Sequence, residues 1–378
     1  LRILIAPDSF KESMTAKEAA DAIEIGIRKV MPDAVCVKVP MADGGEGTTQ
    51  SLVDATNGQL FQIEVLGPLG DPVTASFGLF GDGKTAVLEM ASASGMQLIP
   101  HDRRNPLFTT TYGTGQLIKA ALDKGAKHLV IGIGGSATND GGAGMFQALG
   151  GRLLDKDGYE LPYGGGSLDR LHTIDASNLD PRLKDVTVEV ACDVNNPLTG
   201  ENGASHVFGP QKGATPEMVE RLDSNLKHYA KIIKEQLGKD VDQIPGAGAA
   251  GGLGAGLIAF LSAKLIKGVE LVIQHTKLEQ QMAGVDFIIT GEGRIDGQTV
   301  FGKTIFGIST LAQKHNLPVI ALVGCIGKGA EAMYEHGVTA MFSILSVSCT
   351  VETALQMGRE NLIKTSENIA RVLKLGVR

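Results

Sequence analysis

The chain has 378 residues, enough for two or three domains that each bury their own core. Hydrophobic residues make up 43%, charged residues 20%, and the net charge is −7; with no basic block to displace counterions, the composition excludes a nucleic-acid binder. Tryptophan is absent, aromatics are 4%, and no apolar run reaches the ~18 residues of a membrane helix.

The first elements alternate regularly. Arg2–Ala6 reads as a buried strand and not as a signal sequence. Thr15-Ala-Lys-Glu18 is a capping box, and behind it Ala19, Ile23, Ile27 and Val30 recur at helical spacing until Pro32. Val35–Val39 is a second strand, "MADGGEG" a loop and Thr48–Ala55 a helix. Strand, helix, strand, helix with short connections predicts a parallel sheet with crossover helices.

From Phe61 to Met90 apolar and polar residues alternate, with turns at Gly70-Asp71-Pro72 and Gly81-Asp82-Gly83, which predicts an antiparallel meander. A helix near Gly115–Asp123, strands at His128–Ile133 and Thr187–Ala191, and a long helix from the Thr215-Pro216 cap to Leu237 follow. After Gly284 the parallel texture returns. "VDFIIT", "PVIALVG" and "AMFSIL" are strands, Phe301–His315 is a helix, and Val351–Leu375 is a closing helix. The expected fold class is α/β with two domains. A Rossmann- or flavodoxin-like parallel-sheet domain is built from both chain ends (1–60 and 285–378), and a mixed α/β domain (61–284) is inserted. An active site between two such domains is the default expectation.

Fifty glycines, about twice the usual ~7%, sit in clusters without a three-residue period. Three clusters compete as phosphate binders. "GQTVFGKT", Gly297–Thr304, fits the phosphate-loop pattern by letter, but with the strand taken to end at Thr290 and "GEGRID" intervening, a loop-to-helix junction is expected, with Lys303 still able to reach a phosphate as a point charge. "GAGAAG", Gly246–Gly251, fits a dinucleotide fingerprint yet follows "DQIP" and not a strand, so a closely packed helix is expected there. "HLVIGIGGSATNDGGAGMFQALGG" has strand, loop and helix in the right order. There Gly134, Gly135 and Ser136 leave the strand, Thr138 and Asn139 add donors, and Gly141 and Gly142 open the helix, an expected anion site. Asp140 could hold a metal ion or only satisfy backbone amides.

Acids just beyond strands form a second set. Asp8 lies in "PDSFKES" with Ser9, Phe10 and Lys11. Asp43 and Glu46 lie in "MADGGEG", Asp193 in "ACDVNNPLTG", and Glu292, Arg294 and Asp296 in "GEGRID". Ligands of open α/β sheets gather beyond the carboxyl ends of strands, and four acidic loops, two with a basic residue, suit a magnesium–phosphate site. Any one of these acids alone is more often a turn former or cap. Four dispersed cysteines (Cys36, Cys192, Cys325, Cys349) and eight histidines without HExxH argue against a disulfide framework or a zinc site and fit a reducing cytoplasm.

The motifs "IAPDSFKES", "MADGGEGT", "IGIGGSATNDGG", "ACDVNNPLTG", "PGAGAAGGLGAG" and "ITGEGRIDGQT", in order over essentially the whole chain, resemble the bacterial glycerate kinase family, type I. The resemblance implies ATP-dependent phosphorylation of D-glycerate with magnesium in the cytoplasm, mostly to 2-phosphoglycerate, and an enzyme distinct from P-loop proteins. On that footing, Asp193 is expected to be the base, and Lys11 and Arg294 supply charge, Arg294 gripping the glycerate carboxylate. Gly134, Gly135, Ser136, Thr138, Asn139, Gly141 and Gly142, with Asp8, Ser9, Phe10 and Lys303, are expected to bind nucleotide, and Asp43, Asp140 and Asp296 magnesium. The enzyme is expected to act as a monomer or homodimer. Two rival readings stand beside it: a nicotinamide-dependent oxidoreductase of a small hydroxy acid, and a non-catalytic α/β ligand-binding protein.

Overall fold

A computed structural model describes residues 1–376. In chain order its strands are β1 (Arg2–Ile5), β2 (Val35–Lys38), β3 (Gln59–Leu66), β4 (Pro72–Leu79), β5 (Thr85–Glu89), β6 (His128–Gly132) and β7 (Arg152–Leu154). β8 (Thr173–Asp175), β9 (Thr187–Ala191), β10 (Lys264–Ile266), β11 (Phe287–Ile295), β12 (Val319–Ile326) and β13 (Val338–Ser343) complete them. The fold is α/β, and the chain divides into two compact units.

The first unit takes Leu1–Asp43, Gln50–Asn57 and the chain from Lys267 onward. Its sheet runs β13-β12-β11-β1-β2, and every pairing is parallel. Counted within the unit this is the order 2-1-3-4-5, whose reversal point lies between β1 and β11. The helix Ala16–Arg28 forms because Thr15 and Glu18 satisfy each other's end groups reciprocally, and it buries Ala19, Ala20, Ile23 and Ile27. Its Gly26 lies so close to the Gly358–Gly376 helix that a Cβ there would stand 2.6 Å from the Ser366 Cβ.

Three expectations about this unit change. β11 does not stop at Thr290 but continues to Ile295, because its ladder to β12 runs on through Arg294↔Cys325 and Ile295↔Ile326. The closing helix is two helices, Val351–Gln356 and Gly358–Gly376, parted at Met357, where Gly358 packs on the Ser13 side chain. The position 285 falls inside the unit: the preceding helix Gly268–Thr276 packs on Thr304–Lys314, with a Cβ on Gly307 only 3.1 Å from Val269 Cγ1.

The second unit takes Gly44–Thr49 and Gly58–Ile266. Its sheet runs β10-β9-β6-β5-β4-β3; β3, β4 and β5 form the expected antiparallel meander, and β5, β6, β9 and β10 are parallel. β7 and β8 form a separate antiparallel pair. Thr215 caps the long helix Pro216–Leu237 with its side chain, and Gly238 ends it at φ 68. Leu88, Leu129, Ile131 and Val190 from the sheet and Leu253 and Leu257 from the helix Ala249–Leu261 share one core.

Candidate active site

In the first unit the chain leaves β1 and β11 on either side of the reversal point, and acids stand on both sides. The amide of Asp8 donates to the Gly291 carbonyl at 2.8 Å, and Met41 donates to Pro7 at 2.9 Å, so the segments after β1 and β2 run side by side along the later half of β11. Asp8 and Glu292 are each 8% exposed. Burial pushes the Asp8 carboxyl up to about 6, with the Asp43 charge adding to the rise and hydrogen bonds from Thr304 and Ser9 opposing it. Glu292 is pushed to about 8, chiefly by burial; Lys303 opposes this, and the charges of Asp8, Asp43 and Asp296 add to it. Glu292 Oε1 has no hydrogen-bond partner among the described residues. Two buried carboxyl groups, Asp8 and Glu292, thus feel the charges of the half-buried Asp43 and Lys303, which suits a cation with hard oxygen ligands or a proton held between acids.

The other expected residues of this unit sort by their contacts. Ser9 donates its amide to Asp8 Oδ1 at 2.6 Å. Phe10 is 3% exposed and belongs to the core with Ile5 and Ile289, so its ring packs the sheet and is not a surface for a nucleotide. Lys11 is exposed in the tight turn Phe10–Met14, its amide above Gly293. Arg294 is exposed and pairs through Nε with Asp296 Oδ2 at 2.9 Å. The Asp296 carboxylate is held below its ordinary range, first by the Gln298 amide and also by Arg294 and Lys303.

The extension of β11 changes the case of "GQTVFGKT". Strand, loop and helix now stand in phosphate-loop order, since only Asp296 separates Ile295 from Gly297 and the helix starts at Thr304. The backbone argues otherwise. The amides of Gly297, Thr299, Phe301 and Lys303 donate to carbonyls of Lys328, Asp296, Gln298 and Thr299, and that of Gln298 to the Asp296 carboxylate. A phosphate loop needs those amides free. What does reach the acids is the loop's end: the Thr304 hydroxyl donates to Asp8 Oδ2, and the Lys303 charge acts on Glu292.

In the second unit the glycine loop follows β6 as expected, but its two halves differ. Gly134 and Gly135 are exposed, Gly135 at φ 73, and Ser136 is 6% exposed. From Thr138 to Gly144 the chain is buried. Asp140 is fully buried with both oxygens occupied. Oδ2 accepts from the Thr111 amide and hydroxyl, each at 2.9 Å, and from the Gly144 amide at 3.2 Å, while Oδ1 accepts from the Gly142 amide at 3.2 Å. The Gly141 amide donates to Gly251, and Ala143 to Asp140. The expectation of free amides at the helix start is thus corrected. Gly141 and Gly142 bond inward, Asp140 satisfies backbone and cannot open to a metal ion, and Thr138 and Asn139 are sealed, with Asn139 Nδ2 on Ser205 Oγ at 2.9 Å. The exposed part of the loop is Gly134 and Gly135, with the buried Ser136 next to them.

"GAGAAGGLGAG" explains the seal. From Ala249 on it belongs to the helix Ala249–Leu261, interrupted by left-handed Ala250, Gly251 and Gly252, and the stretch does not follow a strand. Gly252, at φ 87, lets the backbone pass 3.0 Å (from a hypothetical Cβ) beside the Gly141 Cα. The dinucleotide reading fails for want of its strand. Asp193 is exposed just beyond β9.

Several residues of this unit escaped the sequence reasoning. Glu89, at the end of β5, accepts from the amides of Thr49 at 2.7 Å and Gly47 at 3.3 Å and so pins the "GGEGT" loop to the sheet; burial pushes its carboxyl up against those bonds. Lys212 and Tyr229 lie behind the loop, the Tyr229 ring against Gly141. Nothing in "GPQKG" or "KHYAK" marks them: Tyr229 is placed by the long helix Pro216–Leu237 and Lys212 by the short turn Pro210–Lys212 before it.

A family model described as the glycerate kinase family matches residues 3–374. The chain is 55% identical over 375 residues to a glycerate kinase of Bacillus subtilis (strain 168), covering 99% of this chain and 98% of that one. It is 52% identical over 378 residues to the glycerate 2-kinase of Escherichia coli (strain K12), covering 100% and 99%. A crystal structure of a provisionally designated glycerate kinase 2 from Salmonella typhimurium LT2 superposes with a TM-score of 0.93 at 51% identity, covering 100% and 99%.

Proposed function

Because the chain belongs to the glycerate kinase family, we propose that this kinase moves the terminal phosphoryl group of ATP to the 2-hydroxyl of D-glycerate, yielding 2-phosphoglycerate and ADP. The observation that carries the choice of reaction is the end-to-end likeness to glycerate kinases. The choice of hydroxyl is supported by the Escherichia coli relative, a glycerate 2-kinase.

Phosphoryl transfer through a loose transition state asks for positioning and charge more than for covalent chemistry. Nucleotide phosphates would lie on the amides of the exposed Gly134 and Gly135, with the hydroxyl of the adjacent, buried Ser136 as a further donor. Lys11, Lys303 and Arg294 would offset their charge, with Arg294 free to turn its remaining N–H groups to the glycerate carboxylate. Asp193 is the proposed base that orients the acceptor hydroxyl and takes its proton.

Magnesium fits the first unit's donor set. Hard carboxylate oxygens from Asp43, Asp8 and Glu292 would hold it, and the unpartnered Glu292 oxygen argues for a cation there. Asp296, already bonded to Arg294 and Gln298, would serve at the margin. A bound ion would neutralise phosphate oxygens. Among the described residues no helix is long and apolar enough to cross a membrane; a cytoplasmic monomer or homodimer completes the proposal.

The test is ADP release with ATP, magnesium and D-glycerate. Glycerate-dependent ADP formation is expected, and its absence, with reduced nicotinamide consumed instead on a small keto acid, would favour the oxidoreductase.

A further inference from the structure

The sealed side of the glycine loop carries a cation to which the mechanism above gives no part. Lys212 ends the short turn Pro210–Lys212 and is 2% exposed. Its ammonium donates to the Ser136 hydroxyl oxygen at 2.8 Å and to the Thr138 carbonyl at 2.6 Å, and the Asp140 charge attracts it. An ammonium in a protein interior costs several kcal/mol unless it is paired, and an apolar side chain of similar size often serves stability as well or better. Stability alone therefore gives little reason for a lysine here.

The geometry gives it another use. A serine hydroxyl has one hydrogen and two lone pairs. Once Lys212 donates to Ser136 Oγ, the hydroxyl hydrogen must point away from the ammonium and is left to donate to another acceptor. The Thr138 carbonyl, held by the same ammonium, fixes the chain just beyond Gly135, whose positive φ turns the exposed segment. Burial lowers the Lys212 ammonium to about 7 against the pull of the Asp140 charge, so near neutral pH the group behind Gly134 and Gly135 is a donor that carries its positive charge part of the time.

We infer that Lys212 is a positioning residue for nucleotide phosphates: bonded to Ser136 and Thr138, it turns the serine into a donor toward an anion seated on Gly134 and Gly135. This rests on the proposed seating of the phosphates on that loop, so the experiment separates the two. Gly134→Val probes the seat alone. A Cβ there meets nothing nearer than the Gly45 Cα at 3.8 Å, so the first side-chain carbon has room at this exposed position. Lys212→Met removes the ammonium, Lys212→Gln keeps a donor without charge, and Ser136→Ala removes the group through which Lys212 acts.

Expected are a rise of at least tenfold in the KM for ATP in Lys212→Met and a smaller rise in Lys212→Gln. The KM for D-glycerate should stay within twofold, and Ser136→Ala added to Lys212→Met should have less than a further twofold effect. An ATP KM within twofold of the parent in Lys212→Met, while Gly134→Val raises it tenfold, overturns the role of Lys212; so do equal rises in both KM values, which mark a merely structural lysine. An unchanged ATP KM in Gly134→Val removes the seat itself and the inference with it. If neither lysine variant folds, Ser136→Ala decides: at least a threefold rise in ATP KM supports the inference, and a smaller one overturns it.

Discussion

The Thr304 hydroxyl donates to the Asp8 carboxylate across 296 positions of sequence. It ties the first βα loop to the helix that follows β11, the two segments flanking the reversal point of the parallel sheet. Thr304→Val keeps the shape and removes the donor, leaving a buried carboxylate short of a partner. A loss of about 1–3 kcal/mol is expected from the urea midpoint. An unchanged midpoint would show that the bond does not hold in solution.

Glu292 predicts a pH dependence of stability. Its folded pKa, about 8, lies above the ordinary 4.5, so between these values the folded chain holds a proton that the unfolded chain has released. The stabilising contribution is complete below about 4.5 and is lost as pH rises through about 8. Glu292→Gln does not titrate. In metal-free buffer its advantage over the parent should therefore grow from pH 5 to pH 8, by roughly 1–4 kcal/mol at ~1.36 kcal/mol per unit. Parallel stability curves for the two proteins would mean the carboxyl is solvated. Magnesium added at pH 8 should stabilise the parent more than the variant.

Asp140 is assigned to the scaffold. Asp140→Asn keeps one acceptor oxygen where two now take four donors, and a loss of about 3 kcal/mol or more in stability is expected. The magnesium concentration for half-maximal activity should not move in the folded fraction. A protein of parental stability that needs more magnesium would return Asp140 to the metal.

The alternation of strands and helices, the capping box at Thr15 and the meander at β3–β5 were legible because local periodicity and end groups determine them. Asp8, Asp43, Asp193 and Asp296 were legible as a set because each follows a strand, whereas Glu292 lies within β11. The end of β11 was not: "GEGRI" has a turn's composition, and only its ladder to β12 makes it strand. Nor was the split of the glycine loop into an open and a sealed half. Free amides were expected at Gly141–Gly144; the adjacent Asp140 takes those of Gly142, Ala143 and Gly144, while Gly251 and Tyr229, which occupy or cover Gly141, are distant in sequence and uninformative by type.

Glycine at 251 is required by space as well as by conformation. It sits at φ 67, and a Cβ would come within 2.6 Å of the Asn139 Cα and the Thr138 carbonyl carbon. Gly238, at φ 68, has nothing within 4 Å of the same atom. Gly238→Ala should cost about 1 kcal/mol, the strain of the left-handed backbone alone, and Gly251→Ala at least about 2 kcal/mol more, since the backbone must move. Thermal midpoints of the pair test this, and equal shifts would mean the loop and helix are not in contact.

Phosphorus NMR of the product formed from ATP, magnesium and D-glycerate probes the proposed reaction most directly. A single new resonance split by one carbon-bound proton, that of 2-phosphoglycerate, is the predicted result. A resonance split by two such protons would move the transfer to the 3-hydroxyl, and no phosphoglycerate signal at all would contradict the account.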